Sequence, residues 1–240
     1  MLSERQIRLL QAIINEYIDS ARPVGSVELV DKYNIKCSPA TVRNEMAKLI
    51  DLGFLTMLHT SSGRVPTKQA YRFYIEELME EKDLPVLQEV AMKQRLWTNR
   101  FQLEKLLRET VLAMSEITNN LAVATTEEGF VTHAGAVHAL DNQEFWDIDV
   151  AKAALSLIDS YEMLQKVFQN APFGEGVRCI IEEEIGLDKL NNCAITFSQY
   201  KAGKINGHIA VLGPSRLNYG AVLPTVRYAR DLLQELGSSW

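Results

Sequence analysis

Four side chains in one short segment have the chemistry to read another molecule: Thr41, Arg43, Asn44 and Lys48. An asparagine amide can donate to and accept from adenine at once, and an arginine fork can donate twice to guanine. A threonine hydroxyl or a lysine ammonium suits a phosphate oxygen. A second group follows closely: His59, Thr60, Ser61, Ser62 and Arg64. Hydroxyls, an imidazole, a guanidinium and the N–H groups of a turn suit a phosphate backbone or a minor groove.

These residues need a rigid frame, and the local sequence supplies one. Ser38-Pro39 opens a helix, since a serine oxygen accepts from an orphan N–H and proline at the first position wastes no donor. Val42, Met46, Leu49 and Ile50 then fall on one side at helical spacing. Thr41, Asn44, Lys48 and Asp51 fall roughly opposite, with Arg43 between. Gly53 stands where a helix end favours a left-handed residue. Phe54–Leu58 reads as a strand, His59–Gly63 as a turn, and Arg64-Val65 as a return strand ended by Pro66.

Upstream, Ser3 and Gln6 form a capping-box pattern ahead of Ile7, Leu10, Ile14, Tyr17 and Ile18, which predicts a first helix to about Ser20. Arg22-Pro23-Val24-Gly25 breaks it. Ser26 caps a short helix from Val27 to Tyr33, with Val27, Leu29 and Val30 packing inward. Three short helices and a hairpin are the inventory of a winged helix-turn-helix, whose third helix is sized for a DNA major groove. The pattern by itself also fits an amphipathic helix and hairpin inside another small α/β domain.

Further along, Thr67 caps a helix to about Glu81, with Tyr71, Tyr74, Ile75 and Leu78 on one side; the tyrosine spacing favours packing under the hairpin. Asp83-Leu84-Pro85 marks a boundary. Val86 to about Asn120 is helical, and its Leu87–Phe101 half suits a linker or dimer surface. Leu121–Thr125 and Phe130–Val137 read as strands, Phe145–Asn170 as one helix, and Val177–Ile181 as a strand. Cys193–Tyr200 alternates enough to expose one face. Ile205–Leu212 follows a hairpin turn and ends at Gly213-Pro214, and Asn218 to about Leu236 closes the chain as a helix. The expected class is α+β, with an antiparallel sheet flanked by helices. The expected division is 1–80 for the winged helix-turn-helix, 81–120 for a connecting helix or helices, and 121–240 for the sheet domain.

Composition limits the options. The 240 residues are 47% hydrophobic, enough for ordinary cores, and no apolar run reaches the length of a membrane span. The N-terminus lacks the apolar segment of a signal peptide. Cys37, Cys179 and Cys193 are odd in number and lack C-x-x-C spacing, as expected of reduced thiols in a cytoplasmic protein. Net charge is -6, but residues 1–79 hold ten Lys or Arg against nine Asp or Glu, and the rest holds fifteen against twenty-two. Attraction to phosphate must therefore come from clustering on one face.

The segments SPATVRNEMAKLIDLGFL and HTSSGRVPTKQAYRFYIEELM resemble the N-terminal domain of the bacterial heat-inducible transcription repressor family, the HrcA type. That family carries a similar S-x-A-T-V-R-N-E-M helix and H-T-S-x-G-R-x-P-T wing. MSEITNNLAVATTEE, NQEFWDIDVAKAALSLIDSYEMLQKVF and GHIAVLGPSRLNYGAVLPTVRYARDLL resemble its C-terminal region, so nearly the whole chain is covered. The resemblance implies a GAF-like C-terminal fold, a homodimer on double-stranded DNA at an inverted-repeat operator, control of heat-shock chaperone genes, and the GroE chaperonin as a partner. One departure stands out. Family members carry a substantial insert between the first strand region and the central helix, which takes part in dimerisation. Here only Glu127 to Gln143 joins them.

Catalysis has little support. His133 and His138 are not spaced for one metal. His59 beside Ser61-Ser62 lacks an orienting acid, and no phosphate-binding glycine loop is present. No enzyme activity, metal or cofactor is expected. Two other readings remain: a regulator that senses a metabolite in the GAF-like half, and a winged-helix module that binds protein only.

Overall fold

The computed structural model describes residues 2–33, 35–57, 59, 62–80, 82–171 and 176–237. They form two compact units, residues 1–80 and 81–240.

The first unit begins with α1 (Glu4–Ser20). The Ser3 hydroxyl accepts from the Gln6 N–H and the Gln6 side chain accepts from the Ser3 N–H, so two orphan donors are satisfied reciprocally. α2 (Ser26–Tyr33) buries Leu29, but Val27, expected to pack inward, is more than half exposed. α3 (Pro39–Asp51) is capped by Ser38, whose hydroxyl accepts from the Thr41 N–H at 3.2 Å. Beyond Leu52, Gly53 takes a φ of +81°, and the chain turns into β1 (Leu55–Thr56). β1 pairs antiparallel with β2 (Val65–Pro66). Arg64 extends the hairpin by bridging to Val24 through two backbone bonds, at 2.9 and 2.8 Å. Thr67 caps α4 (Lys68–Phe73) and also donates to the Gly53 carbonyl at 2.7 Å. The helix expected to run to about Glu81 widens instead into a π-helical turn over Tyr74–Leu78. Tyr71 is buried, and the Tyr74 hydroxyl reaches the Asn15 side chain at 3.0 Å. Leu10, Ile13, Ile14, Val24, Leu29, Met46, Leu49 and Leu55 fill the core.

The second unit opens with α5 (Val86–Thr98) and α6 (Leu103–Thr118), two helices separated by a turn at Asn99–Gln102. Arg95 of α5 pairs with Glu109 and Glu116 of α6. The sheet comprises β3 (Leu121–Thr126), β4 (Val131–Ala134), β5 (Arg178–Ile181), β6 (Cys193–Ala202) and β7 (Ile205–Pro214). Its order is β4-β3-β7-β6-β5, antiparallel throughout. Between β4 and β5 lie α7 (Ala136–Leu140), α8 (Ile148–Asp159) and α9 (Tyr161–Gln169), and α10 (Tyr219–Gly237) closes the unit. The single helix expected from Phe145 to Asn170 is broken at Ser160, which ends α8 and caps α9 through its hydroxyl. The exposed face expected for β6 is buried from Cys193 to Ser198, because helices cover both sides of the sheet there, and only Gln199 and Lys201 of this strand are exposed. α6 and α10 pack on one side. On the other, Leu157, Ile158, Leu164 and Phe168 meet Ile195, Phe197, Ala210 and Leu212. The Phe130–Val137 segment divides between β4 and the start of α7.

Candidate nucleic-acid interface

α3 places its polar residues by geometry alone. Burial of Val42, Met46 and Leu49 turns the opposite side to solvent. There Ala40, Arg43, Asn44, Ala47, Lys48 and Asp51 form one exposed stripe, about 16 Å long at 1.5 Å per residue. Two alanines keep this face low between the longer side chains. Among the described residues, neither Arg43 nor Asn44 has a side-chain hydrogen bond or ion pair, so both are free to engage a ligand. Thr41 is half-buried and shares a hydrogen bond with the Ser38 hydroxyl at 3.0 Å.

Lys48 is less free. Its ammonium lies 3.2 Å from the Glu45 carboxylate, which also accepts from Arg5 of α1 at 2.6 Å. Glu45 is only 4% exposed. Burial alone would raise its pKa, but Lys48 and Arg5 outweigh that and hold it below the usual carboxylate value. The trio fastens α3 to the first turn of α1. A parallel arrangement fastens α2: the buried Glu16 carboxylate meets Lys32 at 2.6 Å and the Tyr33 hydroxyl at 3.1 Å. Burial, followed by the bond to Glu16, pushes the Tyr33 phenol up to about 12.

Glu45 has a testable acid signature. A carboxylate with a lowered folded-state pKa contributes stability above its unfolded value, near 4.5, and loses it as pH falls through the lowered value. Glu45→Gln is expected to remove that part of the acid transition of the first unit. Because both cations are more than half exposed, the cost at pH 7 is about 1 kcal/mol. Thermal unfolding of wild type and variant between pH 3 and pH 7 reads both effects.

The wing residues are placed as follows. His59 is exposed. The Ser62 hydroxyl is engaged inside the turn, accepting from the His59 N–H at 3.0 Å and donating to the His59 carbonyl at 2.7 Å. Thr60 and Ser61 lie outside the described residues. Arg64 is half-buried, and its Nη1 donates to the Ser62 carbonyl at 2.8 Å, so it braces the turn from within. Gly63 sits against the Val24 bridge: a Cβ there would stand 2.5 Å from the Pro23 carbonyl carbon and oxygen. Sequence reasoning missed Glu45, Arg5 and Gly63. Glu45 stands three residues before Lys48, a helical-pair spacing that could have flagged it. Nothing local links Arg5 to Glu45 or Gly63 to Pro23, forty residues away in each case.

Comparison with known proteins bears on the whole chain. A family model described as winged helix-turn-helix transcription repressor, HrcA DNA-binding, matches residues 1–79. One described as HrcA protein C terminal domain matches residues 46–223. The heat-inducible transcription repressor HrcA of Moorella thermoacetica is 25% identical, covering 98% of this chain and 97% of that protein. Its namesake in Bacillus pumilus is 27% identical, covering 99% of each. These alignments span 336 and 341 positions against 240 residues, so at least 96 and 101 positions have no counterpart here. A crystal structure described as that of a hypothetical protein shares the fold, with a TM-score of 0.78 at 19% identity over 100% of this chain and 99% of that one. Among the described residues, no helix is long and apolar enough to cross a membrane. Family models that match both units place the protein plainly: the chain belongs to the HrcA family of winged helix-turn-helix transcription repressors.

Proposed function

We propose that the chain represses transcription by lying on an inverted-repeat operator as a homodimer and occluding a promoter. The exposed Arg43–Asn44–Lys48 stripe of a capped helix, beside a polar-tipped hairpin, is the observation that carries this reading. Arg43 and Asn44 meet base edges, with Thr41 at the front of the helix and Lys48 toward a phosphate. His59, Thr60, Ser61, Ser62 and Arg64 belong to a wing that holds the backbone. Ser62 and Arg64 are committed to internal bonds, so they also shape it for that task. The relatives' name, heat-inducible transcription repressor, supports control of genes that respond to heat; heat-shock chaperone genes are the proposed targets and the cytoplasm the proposed location. The GroE chaperonin is the proposed partner that keeps the repressor folded, and no catalytic step is assigned. A dimer here must form without at least 96 positions that the relatives possess.

One module reads few base pairs, so two copies are needed for useful specificity. Solution mass and duplex titration test this together. The expected result is a dimer that binds an inverted repeat far more tightly than a single half-site. Log affinity should fall with log salt at a slope of about -5 if six phosphates are neutralised. A monomer that retains no duplex at low salt would instead favour a protein-binding module.

A further inference from the structure

The second unit contains a pocket of about 260 Å³ lined by Gln165, Phe168, Gln169, Ala171, Arg178 and His208. It lies between the C-terminal half of α9 and residues of β5 and β7. Three of these lining residues each carry a buried polar atom without a hydrogen-bond partner: Gln165 Nε2, Arg178 Nε and His208 Nδ1. Buried polar groups are nearly always paired, so three orphans among the residues of one small wall are an unusual cluster.

The wall itself is ordered. Phe168 stacks on His208 at 4.6 Å and on Phe197 at 4.7 Å. The Arg178 guanidinium lies 4.6 Å from the Phe197 ring centre, and these two residues are cross-strand partners in the β5–β6 ladder. The backbone N–H of His208 is held by the Thr125 hydroxyl at 3.2 Å. None of the described lining residues is an acid, and the Glu127 carboxylate is engaged by the Asn206 amide at 3.0 Å. Burial, then the neighbouring Arg178 cation, drives the His208 pKa down to about 4, so its ring is neutral at pH 7.

We propose that this pocket binds a small organic carboxylate, with Arg178 and Gln165 donating to the carboxylate and His208 hydrogen-bonding a neighbouring polar atom. One cation and two neutral groups suit a monoanion. The negative end of α9 lies close by and opposes any anion, a phosphate dianion more strongly than a monoanion held by Arg178. The volume is below the 300–1,000 Å³ or so of sites for drug-sized ligands, which limits the occupant to a few carbons. The site is independent of the DNA-binding reading, because it stands on residues of the second unit alone.

The test is thermal unfolding of the full 240-residue chain with the sodium salts of acetate, pyruvate, lactate and butyrate. Chloride and inorganic phosphate at matched ionic strength serve as references. At least one carboxylate should raise Tm saturably, by roughly 5 °C at a hundredfold excess over Kd. Arg178→Met keeps the aliphatic stem over Phe197 and should abolish the shift; Gln165→Leu should reduce it severalfold. In a histidine NMR spectrum, the same ligand should move the ring signals of His208 and leave those of His59, His133 and His138 in place. No carboxylate exceeding chloride, a shift from phosphate alone, or a shift that survives both substitutions would overturn the assignment. Should Arg178→Met fail to fold, Gln165→Leu and the His208 signals decide it.

Discussion

Asn44→Ala is expected to weaken operator binding roughly 5- to 150-fold, the worth of one bidentate base contact of about 1–3 kcal/mol. Arg43→Ala should do the same at a different base. Both side chains are exposed and, among the described residues, make no side-chain hydrogen bond or ion pair, so their removal breaks none. Alanine is also the better helix former, so thermal stability should hold or rise slightly. The losses should be specific: affinity for a scrambled duplex should fall much less than affinity for the operator. Lys48→Ala gives the contrast. It should weaken all duplexes alike, and it should also lower stability, because Glu45 loses one of its two cations. Fluorescence anisotropy on operator and scrambled duplex, with melting curves alongside, separates the three. If Arg43→Ala and Asn44→Ala both leave operator affinity untouched, the recognition face has been misassigned.

Gly63→Ala should damage the wing from the inside. A methyl group at this position would overlap the Pro23 carbonyl, where its Cβ would stand 2.5 Å from both carbon and oxygen, and would approach the Val24 carbonyl carbon at 2.7 Å. Those atoms are backbone and cannot rotate away. Relief requires the hairpin to part from the Pro23–Val24 segment, and so to lose the paired Val24–Arg64 bonds. Overpacking of this kind costs about 1–3 kcal/mol. The first unit should melt earlier while the second unit is unchanged. Operator affinity should drop about tenfold or more, through a wing no longer held at its angle to α3. Hydrogen exchange at the Val24 and Arg64 amides locates the damage. Protection that stays at the wild-type level would show that the bridge does not brace the wing.

Much of the DNA-binding unit can be read from neighbours in the chain. Ser3 with Gln6, Ser38 with Pro39, and Thr67 ahead of Lys68 are helix starts written within three residues. The inward Val42, Met46 and Leu49 orient α3, and so the outward Arg43 and Asn44, through nothing more than helical period. The rest required partners far apart in sequence. The apolar character of Val27 predicts an inward position, yet its side chain is more than half exposed. The interruption of the Phe145–Asn170 segment at Ser160 left the apolar stripe intact, so periodicity did not reveal it. β6 looked half exposed, but its polar Thr196 and Ser198 are buried because helices close over that face too.

Helix caps, the turn at Gly53 and the face of α3 follow from bonds that close within about four residues, where chain order and spatial order coincide. The buried Glu45 beside Arg5, the seat of Gly63 on Pro23, and the meeting of Gln165, Arg178 and His208 at one wall do not. Each joins residues separated by tens of positions. A charge or an amide is stable out of water only when packing brings its counterpart, or leaves a place for one, and that is settled when the elements assemble.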